Sequence, residues 1–460
     1  MSRLGQAEAP RGLKVAVLGG GWAGMAAAVR ATQLGHRVTV YEAARVLGGR
    51  ARAFEAVQHD GNSVNLDNGQ HILIGAYRDT LRLMRQVGVS LPDALHALPL
   101  AMQNAEGQGL RLAALPKLVQ RLFPGADVVQ GILRAQGWTW QDRWRLMQHA
   151  VRWRLSGFQC QPETSVAHLC RHLTPRVIRQ LIDPLCVSAL NTPASRASGQ
   201  VFLRVLRDAL FSAQPASLPY PGSTLLLPRQ DLSRMFPNAA AKWLRARGMR
   251  VELGRRVQVI EPLSDLTPGP ENPVSWDVLG ERHDRIIIAC QPSEAARLVR
   301  HSSFGVLPRA RNWLGKAMRL QFEAIATVYL QATPDTQLQL PMLALTSGPE
   351  APAQFVFDRG QLGGPPGLLA FVVSASSEER TVLAAQVQSQ ALNQLGLKHT
   401  TIVQTVIEKR ATFACTPKLQ RPAMRIGDGL LACGDYIDGP YPATLEGAVR
   451  SGIAAAEALL

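Results

Sequence analysis

The sequence predicts an α/β fold in which a strand-helix-strand domain, built from separated stretches of chain, is interleaved with a second, mixed α+β domain. Three observations predict it. The first is a β-α-β pattern near the N-terminus: an apolar run from Leu13 to Leu18, the turn Gly19-Gly20-Gly21, a helix-prone stretch from Ala23 to Gln33 closed by Gly35, and a second strand, Arg37-Val38-Thr39-Val40-Tyr41. The second is the return of strand character near Arg250, in Val251-Glu252-Leu253, in Val257 to Ile260 and in Arg285 to Ala289. The third is the close of the chain, where strand-like Leu430 to Cys433 runs through Gly434-Asp435 into an Ala-rich helix from about Pro442 to Leu459. If these stretches form one domain, it comprises residues 1–80, 240–300 and 425–460. The intervening 81–239, mostly helical, and 301–424, mixed, then form the second.

Composition bounds what such a protein can be. With 460 residues, 46% hydrophobic and 18% charged, the chain can bury a large core, which excludes a disordered tail or a disulfide-stapled mini-domain. The net charge is +16, carried by 43 arginines and only seven lysines. It permits a polyanionic partner without establishing one, and the absence of any recognised nucleic-acid module argues against nucleic acid. Six cysteines, at 160, 170, 186, 290, 415 and 433, make no C-x-x-C pair, the pattern of reduced thiols in a cytoplasmic protein. Arg11 and Lys14 before apolar Val15 to Val29 mimic a signal peptide, but glycines 19, 20, 21 and 24 inside that run favour a strand-turn-helix. No uninterrupted apolar run reaches the ~20 residues of a spanning helix, so the protein is soluble or lies on a surface.

The first chemical motif is Gly19-x-Gly21-x-x-Gly24. Gly19 permits the tight turn, Gly21 lets backbone approach a pyrophosphate, and Gly24 lets the helix pack closely on the strand. The diphosphate then lies at the positive end of the helix. Glu42, ending the next strand, is placed to accept hydrogen bonds from a ribose and to repel a 2′-phosphate. The reading is a dinucleotide site.

The residues after Glu42 narrow the dinucleotide: Arg45-Val46-Leu47-Gly48-Gly49-Arg50 resembles the FAD-dependent amine oxidase and phytoene desaturase superfamily, which places G-G-R after the ribose carboxylate. The resemblance implies FAD, with Gly49 passing close to the cofactor and Arg50 at its pyrophosphate. The C-terminal run Gly434-Asp435 and Ala443-Thr444-Leu445-Glu446-Gly447 resembles the second flavin motif of the same superfamily. By that resemblance Asp435 serves the ribityl-phosphate part, the Leu445 backbone the pyrimidine edge, and the Val257 backbone the adenine. The implied fold is a Rossmann-like FAD-binding domain of amine-oxidase type interleaved with a mixed α+β substrate domain. Within the superfamily, Leu66-Asp67-Asn68-Gly69-Gln70-His71-Ile72-Leu73-Ile74-Gly75, together with Gly434-Asp435-Tyr436-Ile437 and Gly439-Pro440-Tyr441-Pro442, is similar to the squalene-associated desaturase-like flavoproteins, the hydroxysqualene dehydroxylases of hopanoid and squalene synthesis.

That resemblance implies a C30 isoprenoid substrate whose allylic hydroxyl departs and is replaced by hydride from reduced flavin. The electrons come from NAD(P)H or from a separate reductase. A carotenoid-type polyene desaturase shares every cofactor motif; an amine oxidase or a non-catalytic lipid carrier on the same fold are the remaining alternatives. Loss of hydroxide requires a general acid, and the expected candidates are His71, Asp67 and Tyr441. For His71 the alternative is a hydrogen-bonded histidine that holds its loop; Asn68 and Gln70 either orient groups in the site or cap the turn.

Two further features carry less. His168 and His172 lie four apart, as metal ligands can, but no third ligand accompanies them and no metal is expected. The stretch from Arg111 to Arg154 combines eight basic residues, Lys117 and Arg121 among them, with Trp138, Trp140, Trp144 and Trp153. It reads either as a peripheral contact with an anionic membrane, on the inner face of the cell membrane, or as an amphipathic helical pair with tryptophans in the core.

Overall fold

The computed structural model describes residues 12–57, 61–113, 115, 125–211, 218–263, 274–376 and 378–459. Arg11, Lys117 and Arg121 lie outside the described residues. The central element is a six-stranded sheet in the order Arg250–Leu253, Arg37–Glu42, Lys14–Leu18, Arg285–Ile288, Leu430–Ala432, Arg425–Gly427. The first five strands run parallel and the last is antiparallel. Parallel strands covered on both faces read as unbroken apolar runs, which is why Val15 to Val17 and Ile286 to Ile288 are wholly buried. Lys14–Leu18 takes its neighbours from residues 37–42 and 285–288, pairings that need long crossovers and draw one sheet from three distant stretches.

Small side chains set the helix layer. The helices Trp22–Gln33 and Leu445–Glu457 cross so tightly that a Cβ on Gly452 would lie 2.2 Å from the carbonyl oxygen of Ala23. Ala26, Ala27, Ala455 and Ala456 are fully buried around that crossing.

The strand expected over Val257 to Ile260 is not formed. This segment takes no strand pairing, and the guanidinium of Arg297 occupies the carbonyl oxygens of Val257 and Gln258 at 3.1 and 2.8 Å. Between residues 81 and 239 the helices are accompanied by short strands, Leu95–Leu98, Ala101–Gln103, Gly109–Arg111 and Leu225–Pro228, too brief for periodicity to reveal.

A five-stranded antiparallel sheet dominates the later half, in the order Met342–Ala344, Phe355–Asp358, Leu368–Ser374, Phe322–Gln331, Thr401–Phe413. Side chains alternate across it. Val356, Phe371 and Val373 pack beneath the helix Arg380–Leu395, whereas Phe355, Phe357 and Val372 face the other way, toward the nucleotide-type sheet.

Candidate functional site

A cavity of about 560 Å³ is lined by residues of both sheets. At one end lie two glycine-rich loops. Gly48 donates its N–H to the carbonyl of Gly20 at 3.0 Å, and Gly21 pairs with Gly48 in a parallel bridge, so two bare backbones form the floor. Gly19, at φ +120°, adopts the left-handed conformation that the turn requires. Glu42 clamps this turn: its carboxylate accepts the N–H of Gly20 at 2.6 Å and that of Ala44 at 2.7 Å. Carboxylate oxygens have further lone pairs, so a ribose contact remains open to it. The helix Trp22–Gln33 starts at Gly21 without a side-chain cap, and Trp22 and Ala23 line the cavity, so the positive end of the helix faces it.

Arg50 and Asp435, from opposite ends of the chain, meet at the cavity wall, with Nη2 and Oδ1 2.5 Å apart. Arg50 also donates to the carbonyl of Ala411 at 2.6 Å, tying the glycine loops to the antiparallel sheet. Gly434, Leu445 and Val257 line the same cavity, as do Gly19, Gly21, Glu42 and Gly49, while Gly24 lies beneath the turn. The residues fit a dinucleotide-sized anion: a floor that any Cβ would narrow, an uncapped helix start, an arginine, and beside them Tyr436, whose buried hydroxyl has no hydrogen-bond partner among the described residues.

Of the three expected acids the structure brings one to the cavity. His71 lines it, with Nδ1 3.1 Å from the Gly69 carbonyl; burial, and secondarily Arg50, hold its imidazole below the ordinary histidine value. Asp67 and Tyr441, the other two candidates, are not among the residues that line it. Asp67 is buried behind the wall, where its carboxylate accepts the N–H of Leu232 at 2.9 Å and so fixes the start of a neighbouring helix. Tyr441 lines a separate polar cavity with Arg78, Arg82, Arg207 and Arg450, donating its hydroxyl to Asp208 at 2.6 Å.

Burial pushes the Asp67 carboxyl up to about 7, against the lowering effect of the Leu232 N–H. Its folded state thus prefers the proton, so stability falls as pH rises from the ordinary carboxyl range to about 7, and is level above. Asp67→Asn, which keeps the acceptor for Leu232, is expected to match the parent near pH 4 and to exceed it above pH 7 by on the order of 4 kcal/mol, read from unfolding midpoints at the two pH values. Equal stability at both would show that the carboxyl is not held protonated.

The other end of the cavity is apolar. Ile72, Val187, Ile325, Phe355, Phe357 and Val372 form it, with Asn191 and Thr412 among them, joined by an Asn191 Nδ2 to Thr412 Oγ1 hydrogen bond of 2.9 Å. Sequence reasoning missed these residues; the alternation in Phe355-Val356-Phe357 was the available signal. Among the described residues no group of three His, Cys, Asp or Glu side chains is placed to hold a metal; His168 receives an Arg171 N–H at 2.7 Å.

A parallel nucleotide-type sheet with a glycine cradle, opened onto an apolar chamber on an antiparallel sheet, defines a dinucleotide-dependent oxidoreductase. The model of the flavin containing amine oxidoreductases matches residues 22–460, and the chain belongs to that family. Across its length it is similar to the hydroxysqualene dehydroxylase of Rhodopseudomonas palustris, 27% identical over 97% of this chain and 98% of that protein. The hydroxysqualene dehydroxylase of Zymomonas mobilis is 25% identical over 96% of this chain and 98% of its own. In fold it is similar to the solved structure of an oxidoreductase from Methanosarcina mazei, with a TM-score of 0.68 at 16% identity, covering 97% of this chain and 100% of that one.

Proposed function

We propose that this flavin-dependent oxidoreductase binds FAD and reductively removes the hydroxyl of hydroxysqualene to give squalene. The observation that carries the proposal is the continuity of one cavity from the glycine cradle to the apolar wall of Ile325, Phe355, Phe357 and Val372. The full-length likeness to hydroxysqualene dehydroxylases supports it. In this reading Gly19, Gly21 and Gly49 admit the diphosphate, Arg50 and Asp435 flank it, Glu42 takes the ribose, and Val257 offers its N–H to adenine, its carbonyl being engaged by Arg297. Leu445, at the start of its helix, lines the cavity and would offer its backbone to the flavin ring. FAD, reduced by NAD(P)H or a reductase, supplies when bound a hydride to the allylic carbon. The chain's own part is to exclude water and to manage one proton. His71, anchored at Nδ1 by Gly69, is left with Nε2 to hold the proton that the departing hydroxyl takes up as water. A C30 hydrocarbon partitions into bilayers, which supports a reaction at a membrane surface.

The test is an anaerobic incubation of the flavin-loaded, reduced protein with hydroxysqualene, with products identified by mass spectrometry. Squalene that requires the reductant is expected; unreacted alcohol beside demonstrably reduced flavin would overturn the proposal. His71→Ala is expected to keep its flavin and lose about 100-fold or more in turnover. Because burial lowers the imidazole, turnover by the parent is expected to rise as pH falls through and below 6.5, a limb that the variant lacks. Unchanged turnover would remove His71 from the mechanism.

A further inference from the structure

The helix Trp140–Leu155 is amphipathic twice over. Asp142, Leu146, His149 and Trp153 are buried against the protein. Trp140, Trp144, Val151 and Leu155 are exposed, Trp140 to 67% and Leu155 to 82%. At about 3.6 residues per turn these two sets fall on opposite sides of the helix. Between them, along the two borders, come Arg145 and Arg152 on one side and Arg143 and Arg154 on the other. The neighbouring helix Ala126–Leu133 adds exposed Val129 and Leu133. Elsewhere in the described residues the exposed large apolar side chains are scattered along the sequence; here six fall within a stretch from Val129 to Leu155. The four tryptophans divide: Trp138 and Trp153 enter the core, while Trp140 and Trp144 face out.

We infer that this face lies in the interfacial plane of an anionic bilayer, with the two indoles and Leu155 at the acyl boundary and the arginines at the headgroups. Charge complementarity selects the occupant: an apolar stripe bordered by arginine on both sides matches a surface that is apolar within and anionic at its rim, whereas a second copy of this chain would bring arginine against arginine. No helix among the described residues is long and apolar enough to cross a membrane, so the contact is in-plane. The helix is also stapled to the chamber. Thr174 donates to Asp142 at 2.6 Å and Trp138 to Gln180 at 2.8 Å, and Gln180 lies in the π-helical turn Ile178–Ile182, which leads directly into the helix Asp183–Leu190. Val187 and Ala189 of that helix line the apolar end of the cavity. The outward-facing helix and the chamber wall thus form one braced stretch of chain. The lipid contact does not require the isoprenoid reading.

The test uses flavin-loaded protein and vesicles of phosphatidylcholine with phosphatidylglycerol, without substrate, so that its failure is separate from failure of the product assay. The parent is expected to sediment with anionic vesicles, less so in high salt or with phosphatidylcholine alone. Brominated acyl chains are expected to quench a share of tryptophan emission that Trp140→Phe/Trp144→Phe removes. Trp140→Ala/Trp144→Ala and, independently, Arg145→Glu/Arg152→Glu are each expected to weaken binding about tenfold or more, with flavin content and unfolding midpoint unchanged. Should the tryptophan pair misfold, the arginine pair decides. Binding by either folded variant equal to the parent's, or no binding by the parent, would overturn the inference. So would a concentration-dependent dimer that the tryptophan variant abolishes, which would assign the face to a second copy.

Discussion

Gly24→Val is expected to leave little or no folded, flavin-containing protein, whereas Gly21→Ala, three residues earlier, is expected to fold normally and to lose its flavin. A Cβ on Gly24 would lie 1.9 Å from the carbonyl oxygen of Gly19 and 2.9 Å from the Ala289 side chain. The first obstacle is main chain, which cannot swing aside as a side chain can, so the helix Trp22–Gln33 would have to lift from the sheet at the point where its burial is complete. Overpacking of that kind costs about 3 kcal/mol or more. Gly21, at φ −76°, is not strained and meets nothing nearer than 3.9 Å, so alanine is tolerated by the chain alone. Its methyl would stand on the cavity floor between the two glycine loops, where a diphosphate is proposed to lie. Unfolding midpoints report the first effect and visible flavin absorbance after desalting the second. A flavin-replete Gly21→Ala would place the diphosphate elsewhere.

Asp435→Ala is expected to destabilise the protein by about 3 kcal/mol or more and to empty it of flavin. The pair it breaks is buried at the aspartate, and removal of one partner leaves the Arg50 guanidinium uncompensated at the junction of the two sheets, the costly way to dismantle an ion pair. Arg50→Met/Asp435→Leu removes both charges at once and is expected to regain most of the stability, since a buried pair replaced by apolar groups is often neutral. It is not expected to regain flavin if Arg50 meets the anion. Denaturant unfolding of the three proteins beside their flavin content separates the two roles. Flavin retained by the double variant would reduce Arg50 to a structural staple.

The legible parts of this molecule are those written in local chemistry. Glycines between a strand and a helix require particular backbone conformations, and a carboxylate after the next strand has few positions it can occupy, so Gly19, Gly21, Glu42 and Gly49 could be grouped before any coordinates. Parallel strands such as Arg285–Ile288 show as apolar runs for the same local reason. Val257 to Ile260 has equal strand character but takes no strand pairing, and Arg297 lies 39 and 40 residues beyond the carbonyls it binds there. No local pattern carries that contact. Where the Asp67 and Tyr441 side chains lie relative to the cavity was not legible, because which side of a wall a side chain meets depends on register with distant strands; the Tyr329 hydroxyl, 262 residues on, donates to the Asp67 carbonyl. The divided fate of the four tryptophans is likewise invisible until the helix Trp140–Leu155 is known to have only one covered face.

The strand order of the central sheet also dictates a schedule of synthesis. Lys14–Leu18 and its helix are synthesised long before the strand Leu430–Ala432 and the helix Leu445–Glu457 that complete their layer. Closing that loop is slow relative to local folding, and although Lys14–Leu18 can meet both its strand neighbours by Ile288, the helix Trp22–Gln33 waits for the helix Leu445–Glu457 that crosses it. The cofactor half therefore cannot mature as the chain emerges. Flavin, as a ligand of the finished sheet, is expected to capture and stabilise it by mass action.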